Sequence, residues 1–129
     1  MNKTGKNGFR ILVVDDEVTV CKAIKMLLEF DGHKVETADG AQTALSLIEK
    51  DKFDLIITDY SMGDMKGDRM AAQIKQTRPD QPIIMATAFA EDFRNSSGPT
   101  MPVNAVINKP FSLMELRAVI TEVMNSGAK

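Results

Sequence analysis

Ile11-Leu12-Val13-Val14-Asp15-Asp16 and, further along, Leu55-Ile56-Ile57-Thr58-Asp59 share one pattern: a short apolar run that ends in acid. Runs of this length, rich in β-branched residues, read as strands buried on both faces, the habit of parallel sheets covered by helices. If the two runs are neighbours, Asp15, Asp16 and Asp59 meet at one edge of the sheet. Crowded carboxylates repel one another, and the cluster is costly unless a cation neutralises it or one acid takes a proton.

Outward from these stretches, apolar runs bounded by turn residues alternate with segments of helical period. Strands are expected over 10–14, 34–38, 53–58, 83–86 and 105–108. A first helix carries Val18, Cys21, Ile24, Leu27 and Leu28 on one face and ends near Gly32, a glycine C-cap. Asp39 is the expected N-cap of a second helix that turns Ala41, Ala44, Leu45 and Ile48 inward. A third spans roughly 68–76, ahead of Pro79. Ser112-Leu113-Met114-Glu115 forms a capping box for the last, whose apolar stripe is Leu113, Leu116, Val119, Ile120 and Val123. The helix between strands four and five is expected to be short or irregular, over about 90–95, because Gly98, Pro99 and Pro102 break the stretch that follows.

The fold class is therefore α/β, a five-stranded parallel sheet doubly wound with helices on both faces. The 129 residues fit one domain, expected over 9–126 between a flexible segment 1–8 and a tail 127–129. A formal charge of −2 with scattered basic residues gives no electrostatic footprint for direct nucleic-acid binding. The single cysteine, Cys21, leaves no partner for an intramolecular disulfide and fits a reducing compartment, so the cytoplasm is expected. Neither a secretory leader nor an apolar run of membrane-spanning length is present, so no membrane insertion is expected. Cys21 reads as an inert core residue on an apolar helix face, and His33 as a surface residue without a second ligand at metal spacing.

In open parallel sheets ligands bind beyond the carboxyl ends of the strands. Two further polar residues end strands in the same way as the acids: Thr87 after Ile83-Ile84-Met85-Ala86, and Lys109 after Val106-Ile107-Asn108. Singly, each has an ordinary reading: an acid at a helix start, a turn residue, a solvated loop lysine. Their joint occurrence at strand ends favours a site.

With these residues in order, and with Met62 and Gly67 in the loop Asp59-Tyr60-Ser61-Met62-Gly63-Asp64-Met65-Lys66-Gly67, the chain resembles the receiver domain of bacterial response regulators. The resemblance covers nearly the whole sequence and implies a flavodoxin-like strand order, 2-1-3-4-5. It implies that Asp59 is a phosphoacceptor for a kinase phosphohistidine. Asp15, Asp16, Asp59 and the backbone carbonyl of Ser61 would hold Mg²⁺ (or Mn²⁺), and Thr87 and Lys109 would bind the transferred group.

The implied partners are a sensor histidine kinase or a histidine phosphotransfer protein, and a downstream protein that the sequence does not name. Such a protein takes a phosphoryl group by self-catalysis and loses it slowly, and is not an enzyme in the usual sense. Two other readings stay open: a non-phosphorylated interaction module of the same fold, and a receiver excised from a longer regulator or hybrid kinase. Two departures from the family pattern stand out. Gly63 replaces a customary proline, and Val106 occupies a position where many receivers carry an aromatic residue that moves with Thr87.

Overall fold

A computed structural model describes residues 8–91, 95 and 102–127. Five strands, β1 (Arg10–Val14), β2 (Lys34–Ala38), β3 (Leu55–Asp59), β4 (Ile83–Thr87) and β5 (Ala105–Asn108), form one sheet in the order β2-β1-β3-β4-β5. Every pairing is parallel, with Val13 opposite Thr37 and Ile57, Asp59 opposite Ala86, and Thr87 opposite Asn108. The expected fold class and strand order are thus observed. β3 and β4 each run one residue past their expected ends, so Asp59 and Thr87 are the last residues of strands.

Four helices are described: α1 (Val18–Phe30), α2 (Ala41–Lys50), α3 (Gly67–Thr77) and α4 (Leu113–Gly127). The period-two alternation of the strands divides the core between the two faces of the sheet. Leu12, Val14, Ile56, Ile83 and Met85 pack with Ala41, Ala44 and Ile48 of α2 and Met70, Ala71 and Ile74 of α3. Ile11, Val13, Leu55, Ile57 and Ile84 pack with Cys21, Ile24 and Leu28 of α1 and Leu116, Ile120 and Val123 of α4. No buried side-chain nitrogen or oxygen among the described residues lacks a hydrogen-bond partner.

The helix ends follow from local chemistry, with one exception. α1 closes in a Schellman motif: the Gly32 N–H donates to Glu29 O (3.0 Å), the His33 N–H donates to Leu28 O (3.1 Å), and Gly32 takes the positive φ of 95° that glycine allows. The capping box of α4 is present, Glu115 N–H to Ser112 Oγ at 3.1 Å and Ser112 N–H to Glu115 Oε1 at 2.8 Å. The exception is α2, whose N-cap is Gly40 and not Asp39. Asp39 instead accepts the Thr43 hydroxyl (3.1 Å).

Three other expectations are corrected. Val18 and Leu27, counted in the inward stripe of α1, are exposed, because the sheet covers only the arc holding Cys21, Ile24 and Leu28. His33 is half-buried: its ring stacks on Phe9 with centroids 5.5 Å apart, its Nδ1 accepts the Phe9 N–H at 2.9 Å, and burial pushes its pKa down. Gly127 closes α4 instead of opening a tail. In the crossover from β4 to β5, Ala90, Glu91 and Asn95 are helical, and the remainder of the segment expected over 90–95, with Gly98 and Pro99, lies outside the described residues. The expectation for the N-terminal segment lies outside them too, apart from Gly8.

Candidate functional site

The strand order reverses between β1 and β3, and the crevice at their carboxyl ends is where the acids fall. Oxygens of Asp15, Asp16 and Asp59 lie within 4.8 Å of one another; Asp15 and Asp59 are buried and Asp16 is exposed. β1 delivers Asp15, whose N–H extends the ladder to Ala38 O at 3.1 Å. Its Oδ1 accepts the Glu17 N–H (2.9 Å), which starts α1, while its Oδ2 lies 3.4 Å from Lys109 Nζ. One carboxylate thus stands both at the start of α1 and in the acidic cluster, the two places that the sequence allowed. The Cys21 thiol donates to the Asp15 carbonyl (3.3 Å) from the core side, and burial pushes its pKa up, as befits an inert residue.

Asp59 is held by the residues that follow it. The Tyr60 N–H donates to Ala86 O (2.9 Å) and the Gly67 N–H to Tyr60 O (2.8 Å), which folds the β3–α3 loop back on itself. A Cβ at position 67 would collide with the Asp59 carbonyl, so only glycine fits this approach. Lys109, with its peptide to Pro110 cis, reaches back from the end of β5 and places Nζ 3.0 Å from Asp59 Oδ1.

The electrostatics of the pair are lopsided. Burial pushes the Asp59 carboxyl above the usual carboxylate range, and the charges of Asp15 and Asp16 add to that rise; the bond to Lys109 only partly opposes it. Burial alone would lower the Lys109 ammonium. Its hydrogen bond to Asp59 and the charges of Asp59 and Asp15 outweigh burial and hold it above its ordinary value. Among the described residues one ammonium faces three carboxylates, so the ionised cluster carries a formal surplus of two negative charges in a half-buried crevice. That surplus equals the charge of one divalent cation, and the donors are all hard oxygens, with an exposed side at Asp16 where water ligands can remain. The residues present therefore fit Mg²⁺.

Thr87 is buried at the end of β4. Its Oγ1 accepts the Phe89 N–H at 3.2 Å, which leaves the hydroxyl proton as a donor for an incoming oxygen. Lys109 N–H donates to Thr87 O at 2.9 Å, so the backbone ties these two side chains' residues together. Ser61 lies exposed in the β3–α3 loop, two residues after Asp59.

Sequence reasoning missed two residues near the site. Asn108 Oδ1 accepts the Ala90 N–H (3.1 Å), fastening the segment after Thr87 to the end of β5. Asp64 accepts the N–H groups of Gln42 (3.0 Å) and Ala41 (3.1 Å), bonds that hold its carboxyl below the usual range and cap α2 from another loop. The one local signal for the second was a glycine at the α2 cap position.

A family model described as response regulator receiver domain matches residues 11–121. The chain is 33% identical over 115 residues to the alkaline phosphatase synthesis transcriptional regulatory protein PhoP of Bacillus subtilis, covering 89% of this chain and 48% of that protein. The chain spans about half the length of the curated relatives it matches. A CheY-like receiver domain protein of Methanospirillum hungatei superposes with a TM-score of 0.86 at 30% identity, over 95% of this chain and 98% of that one. The response regulator TrrA of Thermotoga maritima, solved in complex with Mg²⁺ and BeF, superposes with a TM-score of 0.80 at 29% identity, over 88% and 97%.

Proposed function

The chain belongs to the response regulator receiver domain family, and on that premise we propose that Asp59 accepts a phosphoryl group from the phosphohistidine of a sensor kinase or phosphotransfer protein. The observation that carries this reading is the buried Asp59 carboxylate with Asp15 and Asp16 on one side and the Lys109 ammonium at 3.0 Å on the other. An Asp59 oxygen attacks phosphorus, the N–P bond breaks, its electron pair returns to the imidazole nitrogen, and an acyl phosphate remains on Asp59.

Each side chain has a separate task. Lys109 neutralises charge on the transferred group, and the Thr87 hydroxyl donates to one of its oxygens. Asp15, Asp16, Asp59 and the Ser61 carbonyl would hold Mg²⁺, which supplies charge stabilisation to the phosphoryl oxygens when bound. The complex of TrrA with Mg²⁺ and BeF supports that assignment by similarity.

The acyl phosphate brings roughly two negative charges. Turning Thr87 toward them brings its hydroxyl proton to the phosphate and draws along the Phe89 N–H that its oxygen accepts, and the segment after β4, tied by Asn108 to β5, moves with it. A partner protein reads the altered surface around β5. Val106, buried at 5% exposure, has no aromatic ring to swing, so this backbone route carries the signal.

On this reading the domain is a phosphoacceptor that labels and slowly releases itself rather than a turnover enzyme. It works in the cytoplasm through protein contacts, without itself touching nucleic acid. No described helix is long and apolar enough to cross a membrane. The test is intact mass after incubation with acetyl phosphate. One phosphoryl adduct is expected with Mg²⁺ and none after chelation; an adduct equally abundant in chelator overturns the metal assignment, and no adduct at all overturns the acceptor.

A further inference from the structure

The loop from Asp59 to Gly67 contains a carboxylate that phosphoryl transfer does not use. Asp64 spans the start of α2, with Oδ1 accepting the Ala41 N–H and Oδ2 the Gln42 N–H at 3.1 and 3.0 Å. α2 has no cap side chain of its own; its N-cap is Gly40. A Cβ at Gly40 would come within 3.1 and 3.2 Å of the two Asp64 oxygens, closer than most real contacts of that kind. The glycine and the carboxylate are therefore a matched pair: one leaves the space, the other fills it.

Ser61 lies between two anchors. On one side Asp59 and Tyr60 are fixed to β4 through the Tyr60 N–H and Ala86 O. On the other, Asp64 is fixed to α2 by a two-pronged grip. The residue between Ser61 and the second anchor that offers most backbone freedom is Gly63, around which there is nothing for a Cβ to meet. Between Ser61 and Gly63 the flexible Met62 side chain, buried in the core, also holds the span; without the Asp64 grip the backbone there loses its rigid anchor, and a carbonyl that wanders is a poor metal ligand.

We propose that Asp64 is a positioning residue for the divalent cation, clamping the β3–α3 loop onto the start of α2 so that the Ser61 carbonyl is held ready to ligate. The inference rests on the Mg²⁺ reading above. It makes α2, which contributes no ligand, a support for the metal site.

The test is a Mg²⁺ titration of the full chain followed by the amide resonances of Tyr60 and Ser61, for wild type, Asp64→Ala, Asp64→Asn and Thr43→Ala. Asp64→Ala is expected to raise the midpoint on the order of tenfold, as loss of a supporting partner does at metal sites. Asp64→Asn keeps one acceptor oxygen and is expected to fall between. Thr43→Ala removes the bond to Asp39 at the same helix start without touching the loop, and its midpoint should match wild type. A merely structural cap would lower the melting temperature of Asp64→Ala and leave the midpoint in place, and that result overturns the proposal, as does an equal shift in Thr43→Ala. No saturable response in wild type overturns both this inference and the metal site; a normal wild-type response with no shift in Asp64→Ala overturns this inference alone.

Discussion

Asp59 carries its charge in an unfavourable, buried setting. Burial raises its pKa, Asp15 and Asp16 raise it further, and Lys109 compensates only in part. The native state therefore binds more protons than the unfolded chain between the ordinary and the raised pKa, so stability falls as pH rises through that window, upward from about 4. Asp59→Asn removes the titration. Urea unfolding in chelator should show the wild type losing stability relative to Asp59→Asn over that interval, and saturating Mg²⁺ should reverse the ranking near neutrality; parallel pH profiles would contradict this. The residues that make the cluster were legible in the sequence because each ends an apolar run, and strand ends of a parallel sheet share an edge. Asp64 and Asn108 were not: their partners, Ala41 and Ala90, are distant in sequence and come near only through the fold.

At the scale of elements, local signals worked where the partner lies within a turn and failed where it lies elsewhere. Ser112 and Glu115 satisfy each other's backbone N–H groups, and the pattern could be read directly. Ser112→Ala should cost about 1 kcal/mol of unfolding free energy, measured by urea titration, with no change in phosphoryl acceptance. Asp39 looked like the same device and was not, because the start of α2 is capped across the loop by Asp64. The buried stripe of α1 is narrower than its apolar period for a similar reason. Periodicity shows which residues share a helix face, but the sheet decides how much of that face is covered, and Val18 and Leu27 fall outside it.

At the scale of the molecule, the sheet divides two apolar clusters of the described residues, one on each face. Met70 of α3 and Leu116 of α4 are fully buried on opposite faces. Each truncation to alanine should cost about 2–5 kcal/mol, and the double variant should equal the sum within about 0.5 kcal/mol, since distant sites without shared partners add. A larger deviation would mean that the layers are coupled through the sheet. This architecture places the acids of β1 and β3 at the reversal of strand order, with Thr87 and Lys109 arriving from β4 and β5. Conversion of the Asp59 carboxylate to the acyl phosphate has one direct test. The chain is labelled with acetyl phosphate and Mg²⁺, reduced with borohydride, which converts an acyl phosphate to an alcohol, and its peptides are sequenced by mass spectrometry. Homoserine at position 59 alone is the predicted result; aspartate intact at 59, or homoserine at Asp15, Asp16 or Asp64, would contradict it.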